Sequence, residues 1–313
     1  MSSLRERYSF VPSEAAPAPR RTLKAAISAV GRGLHSGAEV TLWLKPAAVN
    51  SGIMFQRADL GVGIPARFDY VTDTRLCTLI AVGEAKIGTI EHLMAAVAAC
   101  GVDDMLIEVD GPELPVFDGS AAPFLFLIES AGIAEHGGLR EHLEILRPVR
   151  VEHNGAFAEL RPHNPGGSGF DISLSIEFAA SAIGAQAYHF HLSEAGFAQE
   201  IAQARTFTLL GEIEALRKAG LARGGSLANA IVVDDTKVLN PEGLRYADEF
   251  VRHKLLDVIG DLALAGAPIS GRFIGSRTGH ALNNQLLRAL FADQANYRLT
   301  NGTVAKPLQL TVA

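Results

Sequence analysis

The sequence predicts an α+β protein of two similar layered domains, each a sheet packed on helices. They arise by internal duplication, and a βαβ-like subdomain is inserted in the second half. Three observations carry that reading. Short apolar runs that alternate with polar residues, bounded by glycine turns, recur along the chain and read as strands. Two longer segments, near residues 89–101 and 250–262, switch to helical spacing. Each of these is followed by a strand, a loop and a second helix, so one order of elements occurs once in each half. With 313 residues, 48% of them hydrophobic, the chain is long enough for two cores. The expected organisation is a disordered lead-in over residues 1–20, domains over 21–145 and 146–313, and the insertion over about 205–239.

Taken in order, the lead-in carries Arg5, Glu6 and Arg7 where a signal peptide needs an apolar core, and Ala15-Ala16-Pro17-Ala18-Pro19 reads as flexible. Residues 22–27 and 40–44 read as paired strands about a glycine turn at 31–37, where His35 fits a structural role. Residues 53–88 read as short strands and hairpins, among them 76–80, with a turn at Gly83-Glu84. Thr89 is then expected to cap a helix with Glu91 and His92 in its first turn. Leu93, Met94, Ala96, Val97 and Cys100 supply its buried side, and Gly101 closes it. Residues 105–109 form the next strand, and Ser120 caps a helix running to about residue 130.

In the second half, strands are expected around 145–153, 156–162 and 170–177. Within the insertion, Leu209, Leu210, Ile213 and Leu216 mark one face of a helix ending at Gly220, and Ile231-Val232-Val233 is a strand. That apolar face suits either a satellite core or the wall of a ligand channel. The helix at 250–262 sets His253, Asp257 and Asp261 on one stripe at i, i+4 and i+8, with Leu255, Leu256, Val258, Ile259 and Leu262 mostly on the other side. A strand at 271–274 and a helix at 281–291 follow. Residues 308–313 read as a last strand or an exposed tail.

Composition narrows the function. The net charge of −6 and the lack of a basic stripe interleaved with aromatics exclude a dedicated nucleic-acid binder and leave small molecules as partners. Two cysteines without a Cys-x-x-Cys pair suit a reducing, cytoplasmic compartment and exclude a thiolate zinc cluster. No apolar run approaches the length of a transmembrane helix.

Any metal must therefore use histidine and carboxylate. His92, His253 and Asp257 are the candidate ligands, with Glu91, His280, Asp261 and Thr206 as further players. Two imidazoles and one carboxylate leave a fourth position open on tetrahedral zinc, the composition of catalytic sites. No His-Glu-x-x-His occurs, so the helix signature of zinc proteases is absent. His189 and His191 share one face of a strand and form a rival pair without a third acid on a regular element.

Several motifs, in order from about Arg21 to the C-terminus, closely resemble the UDP-3-O-(3-hydroxyacyl)-N-acetylglucosamine deacetylases. They are Ile90-Glu91-His92-Leu93, the run from Phe117-Asp118-Gly119-Ser120 to Phe124, Ala204-Arg205-Thr206-Phe207, Ile231-Val232-Val233-Asp234-Asp235, Val251 to Leu262, and Gly279-His280-Ala281-Leu282-Asn283-Asn284. Those proteins are the zinc enzymes of the committed step of lipid A synthesis in Gram-negative bacteria. The resemblance implies Zn(2+) on His92, His253 and Asp257, and Glu91 as general base. It implies Thr206 as oxyanion donor, and His280, held protonated by Asp261, as the charged partner of the intermediate. It places Lys254 near the substrate diphosphate or the site mouth, and lines the substrate site with Phe207, Leu209, Leu210 and Cys77. Cys77 also reads as a buried small hydrophobe, and Lys254 as a solvated charge. The implied partner is an acylated UDP-sugar, met in transient proximity to a membrane surface. Two other readings stand beside this one: a non-catalytic metal-stabilised binder of sugar nucleotides or acyl chains, and a zinc amidohydrolase for another N-acetyl sugar. The lead-in is longer than the family requires, and the insertion, with Leu209, Leu210 and Ala222, would give the channel its own shape.

Overall fold

A computed structural model describes residues 18–301. The readings made for residues 1–17 and 308–313 lie outside the described residues. The first half runs β1 (Pro19–Leu23), β2 (Ile27–Arg32), β3 (Glu39–Pro46), β4 (Ile53–Arg57), β5 (Val62–Pro65), β6 (Val71–Asp73), β7 (Leu79–Val82), β8 (Ala85–Ile87), α1 (Glu91–Ala99), β9 (Met105–Val109), α2 (Ala122–Ala131) and β10 (Ile133–Leu139). The second runs β11 (Glu141–Ile145), β12 (Val149–His153), β13 (Ala156–Arg161), β14 (Phe170–Glu177), β15 (Ala185–His191), α3 (Glu194–Gly196), β16 (Phe207–Leu209), α4 (Leu210–Lys218), β17 (Ile231–Asp234), β18 (Lys237–Val238), α5 (Glu249–Ala263), β19 (Ile269–Ser276), α6 (His280–Phe291) and β20 (Tyr297–Asn301).

The duplication is visible in strand order. The first sheet is β2-β3-β9-β4-β5, with β9 antiparallel to β3 and parallel to β4. In the second, β12 and β13 lead to β19, which is antiparallel to β13 and parallel to β14, and β14 pairs with β15. Order and direction match, and the helix before the central strand is α1 in one copy and α5 in the other. The second sheet also gains β11 and β20. Each sheet buries one face by simple alternation. Val40, Leu42 and Leu44 point inward from β3, as do Met105, Ile107 and Val109 from β9 and Phe170, Ile172, Leu174 and Ile176 from β14.

Helices α1 and α5 lie between the layers and are buried along nearly their whole length, which is why neither is strongly amphipathic. They touch at backbone distance. A Cβ on Gly260 would lie 1.9 Å from the Glu91 carbonyl oxygen, so only glycine permits this approach.

Where the structure departs from the sequence reading, side-chain partners explain the difference. Pro19 and Arg20, read as lead-in, belong to β1, because Arg20 forks onto the buried Asp104 with two bonds of 2.8 Å. Residues 22–27 do not make one strand: β1 pairs with β10 and β2 with β3, on either side of Lys24. Thr89 does not cap α1. It has φ +58° and donates its hydroxyl to Glu113 at 3.0 Å, so α1 starts at Glu91 without a side-chain cap. Ser120 is not the N-cap of α2, which is Ala121 without a side-chain bond; its hydroxyl accepts from the Ala122 N–H at 3.2 Å while donating to Asp118, and α2 ends at Gly132 with φ +70°. Residues 76–78 lie outside β7, and of them Thr78 bonds Glu91 and Asp261.

The insertion is a small βαβ unit: β16 is parallel to β17, and α4 connects them. No residue of α4 is buried, and Leu210 is 43% exposed, so the helix is not a satellite core. A buried ion pair fastens the unit to the start of α5. Arg205, 2% exposed, bonds Glu249 at 2.9 and 3.2 Å, and Glu249 also accepts from the Arg205 and Arg245 backbone N–H groups.

Candidate metal centre

The seam between α1 and α5 gathers the chemistry. His92 lies in the first turn of α1; His253 and Asp257, one turn apart, face it from α5. All three are buried. The Nε2 atoms of His92 and His253 lie 3.7 and 3.5 Å from Asp257 Oδ1, and the two rings stand edge to face at 86° with centroids 5.0 Å apart. A tetrahedral ion with bonds of about 2.0 Å needs donors about 3.3 Å apart, close to what is found. Among the described residues this is the one group of three or more histidine, cysteine, aspartate or glutamate side chains close enough to share an ion, and His189 and His191 are not in it. His191 is instead bonded to Asp171 at 2.8 Å.

The protonation states suit a cation. Burial, then the neighbouring His253, pushes His92 down to about 3, and burial likewise lowers His253, so both imidazoles are neutral at pH 7. His253 Nδ1 lies 3.1 Å from the Ala204 carbonyl oxygen, which puts the proton there and turns the Nε2 lone pair toward Asp257. Burial opposes ionisation of Asp257, but Lys254 and the three neighbouring histidines outweigh it and hold the carboxyl well below its usual range. Asp257 Oδ1 is buried and has no hydrogen-bond partner among the described residues. An anionic oxygen left unpaired in the interior is costly unless a cation meets it. On that observation and the donor set, a divalent ion fits.

Glu91 immediately precedes His92, and its carboxylate is also buried. It accepts from the Thr78 N–H at 3.0 Å. Burial pushes its carboxyl up to about 7; Asp257 and Asp261 add to the rise and His280 opposes it. A carboxyl near neutrality is suited to moving protons. On the other side, Asp261 Oδ2 lies 2.9 Å from His280 Nδ1. Burial works against the imidazolium, yet Asp261, with Glu91 and Asp257 near, raises His280 to about 9 and keeps it charged at pH 7.

The other residues singled out from the sequence fall in different places. Lys254 Nζ donates to Asp257 Oδ2 at 2.6 Å, so its ammonium is paired inside the site and is not a solvated charge. Thr206 is held through its backbone: its N–H donates to the Gly119 carbonyl oxygen and its carbonyl accepts from Ile231, both at 2.8 Å. Gly119 has φ +83°, and a Cβ there would lie 2.1 Å from the Asn229 carbonyl oxygen, so the Asp118-Gly119-Ser120 turn, in the first half of the chain, packs directly on this segment. Phe207 packs its ring on Phe250 and His253, with centroids 5.0 and 6.1 Å away. Leu209 is half-buried and Leu210 exposed. Cys77 is buried and its thiol is pushed up to about 12, mainly by burial and then by Glu91, so it stays protonated.

Three site residues escaped the sequence reading. Thr78 donates its hydroxyl to Asp261 Oδ1 at 2.6 Å, Asn283 Nδ2 donates to Asp261 Oδ2 at 2.8 Å, and Thr278 donates to Asn283 Oδ1 at 2.7 Å. Only Asn283 carried a local signal, three positions after His280 on one helical face.

Residues 20–292 match the family model described as LpxC: UDP-3-O-acyl N-acetylglycosamine deacetylase. Relatives named UDP-3-O-acyl-N-acetylglucosamine deacetylase include that of Legionella pneumophila (strain Corby), 48% identical over 285 residues, which cover 90% of this chain and 92% of the relative. That of Shewanella sp. (strain W3-18-1) is 49% identical over 287 residues, with the same coverage.

Proposed function

The chain belongs to the UDP-3-O-acyl-N-acetylglucosamine deacetylase family, and on that premise we propose that it hydrolyses the 2-acetamido group of UDP-3-O-(3-hydroxyacyl)-N-acetylglucosamine with zinc held by His92, His253 and Asp257. It is a hydrolase of the amide bond, and its reaction is the committed step of lipid A biosynthesis. The observation that carries the residue assignment is Glu91: a buried carboxyl with a near-neutral pKa beside three converging donors.

A divalent ion bound there supplies a Lewis acid for the acetamide carbonyl and acidifies water toward a pKa of about 7. The side chains do the rest. Glu91 accepts the proton of the attacking water, and the Thr206 hydroxyl donates to the carbonyl oxygen as negative charge grows on it. The His280 imidazolium, held in charge by Asp261, stabilises the same charge, and the departing amine takes up a proton from the store on Glu91 and His280. Lys254 keeps Asp257 ionised at neutral pH, an indirect role beside any contact with the substrate diphosphate. Acetate and the free amine are the products.

The insertion supports the acylated substrate. Phe207 joins its first strand to a metal ligand, and the half-exposed apolar side of α4, with Leu209 and Leu210 at its start, is free to cover a 3-O-acyl chain. A cytoplasmic enzyme working close to a membrane surface fits this substrate; no described helix is long and apolar enough to cross a membrane.

The function is tested by acetate release from the 3-O-acylated UDP-sugar and from the same sugar without the acyl chain. Turnover of the acylated substrate alone is expected; equal kcat/KM for both would remove the acyl-chain role and leave a general N-acetyl-sugar amidohydrolase. Thr206→Ala is expected to lower kcat by about a hundredfold to a thousandfold while KM changes little, the size of losing one oxyanion donor. Steady-state kinetics decides this, and a wild-type kcat would release Thr206 from the role.

A further inference from the structure

Thr78 makes contacts that no role given to the neighbouring residues explains. It lies between β6 and β7, is 2% exposed, and follows a turn in which Leu76 has φ +70°. Its backbone is strapped to the start of α1: the carbonyl accepts from the Ile90 N–H at 3.5 Å and the N–H donates to Glu91 Oε2 at 3.0 Å. Its hydroxyl reaches the other helix and donates to Asp261 Oδ1 at 2.6 Å, 183 positions away in sequence. One residue therefore holds both the carboxylate beside the ligands and the carboxylate that orients His280.

The geometry assigns Thr78 as a positioning residue that registers Glu91 against the His280–Asp261 pair across the domain seam, an assignment that rests on the roles given to Glu91 and His280 above. Asp261 Oδ2 is held by two donors, His280 Nδ1 and Asn283 Nδ2, but both meet the same oxygen. Such a carboxylate still turns about its Cβ–Cγ bond. The Thr78 hydroxyl meets the other oxygen, fixes the carboxylate plane and so fixes the direction of the His280 ring. At 2.6 Å it has the length of a hydroxyl bonded to an ionised carboxylate. Without it, Asp261 Oδ1 is buried with no partner, and the pair is left free to reorient toward whatever donor it finds.

The test uses the whole metal-loaded enzyme. Thr78→Val removes the hydroxyl and keeps the backbone bonds; Thr78→Ala does so without a new methyl group; Thr78→Ser restores the hydroxyl. Both hydroxyl-free variants are expected to lose roughly tenfold to a hundredfold in kcat, with KM within about twofold and metal content unchanged, while Thr78→Ser keeps most of kcat. Combined with His280→Ala, Thr78→Val is expected to add less than about threefold, because it acts through that histidine. The His280 Nδ1 proton resonance, read by NMR independently of turnover, is expected to move in Thr78→Val and not in Thr78→Ser. Three results would overturn the assignment: a wild-type kcat in Thr78→Val, equal losses in Val and Ser variants, or full multiplication of the two single effects. If His280→Ala itself turns over normally, the role given to His280 fails, and the resonance still reports whether Thr78 orients the ring.

Discussion

Glu91→Gln is expected to keep its full metal content and lose between about a hundredfold and ten-thousandfold in kcat. The substitution preserves shape and an acceptor for the Thr78 N–H, so the start of α1 has no reason to move. What it removes is the one carboxylate beside the three converging donors that, among the described residues, no other charged side chain pairs with: Asp257 is bonded to Lys254, and Asp261 to Thr78, His280 and Asn283. Metal analysis and steady-state kinetics on one preparation decide the matter. A variant with full metal and wild-type turnover would remove Glu91 as the base.

The second large effect is expected of His253→Ala, which should lose metal and activity together. His253 is held by its Ala204 bond with Nε2 aimed 3.5 Å from Asp257 Oδ1, so its removal takes a pre-oriented donor and leaves one imidazole and one carboxylate. Binding stabilises the folded state in proportion to the logarithm of ligand over Kd. Added zinc should therefore raise the melting temperature of the metal-stripped wild-type protein and leave that of His253→Ala nearly where it was. An unchanged zinc response in the variant would mean that the ion binds elsewhere. The contrast between the two variants, one with metal and no turnover and one with neither, separates the base from the ligands.

Much of this site could be read from the chain because its main parts are local. His253, Asp257 and Asp261 share a stripe through helical spacing alone, and Glu91 and His92 are neighbours at a helix start. The duplicated order of elements pointed to a seam between two copies, and the matching strand orders account for it. What escaped the sequence depends on contacts between distant residues. Thr78 reads as part of a strand; its importance comes from partners 13 and 183 positions away. Thr89 reads as a helix cap until the buried Glu113, 24 positions on, claims its hydroxyl. Arg20 reads as flexible lead-in because Asp104, its buried partner, lies 84 positions downstream. Lys254 carried two opposed readings, and only the direction of its side chain toward Asp257 removes the solvated one.

Anomalous diffraction at the zinc absorption edge, on crystals of the purified protein, tests the claim on which the mechanism stands. The expected result is one peak at the α1–α5 seam, about 2.0–2.2 Å from His92 Nε2, His253 Nε2 and Asp257 Oδ1, with Glu91 unbound beside it. A peak that omits His92, or a metal-replete and active protein with its ion at another site, would contradict the account.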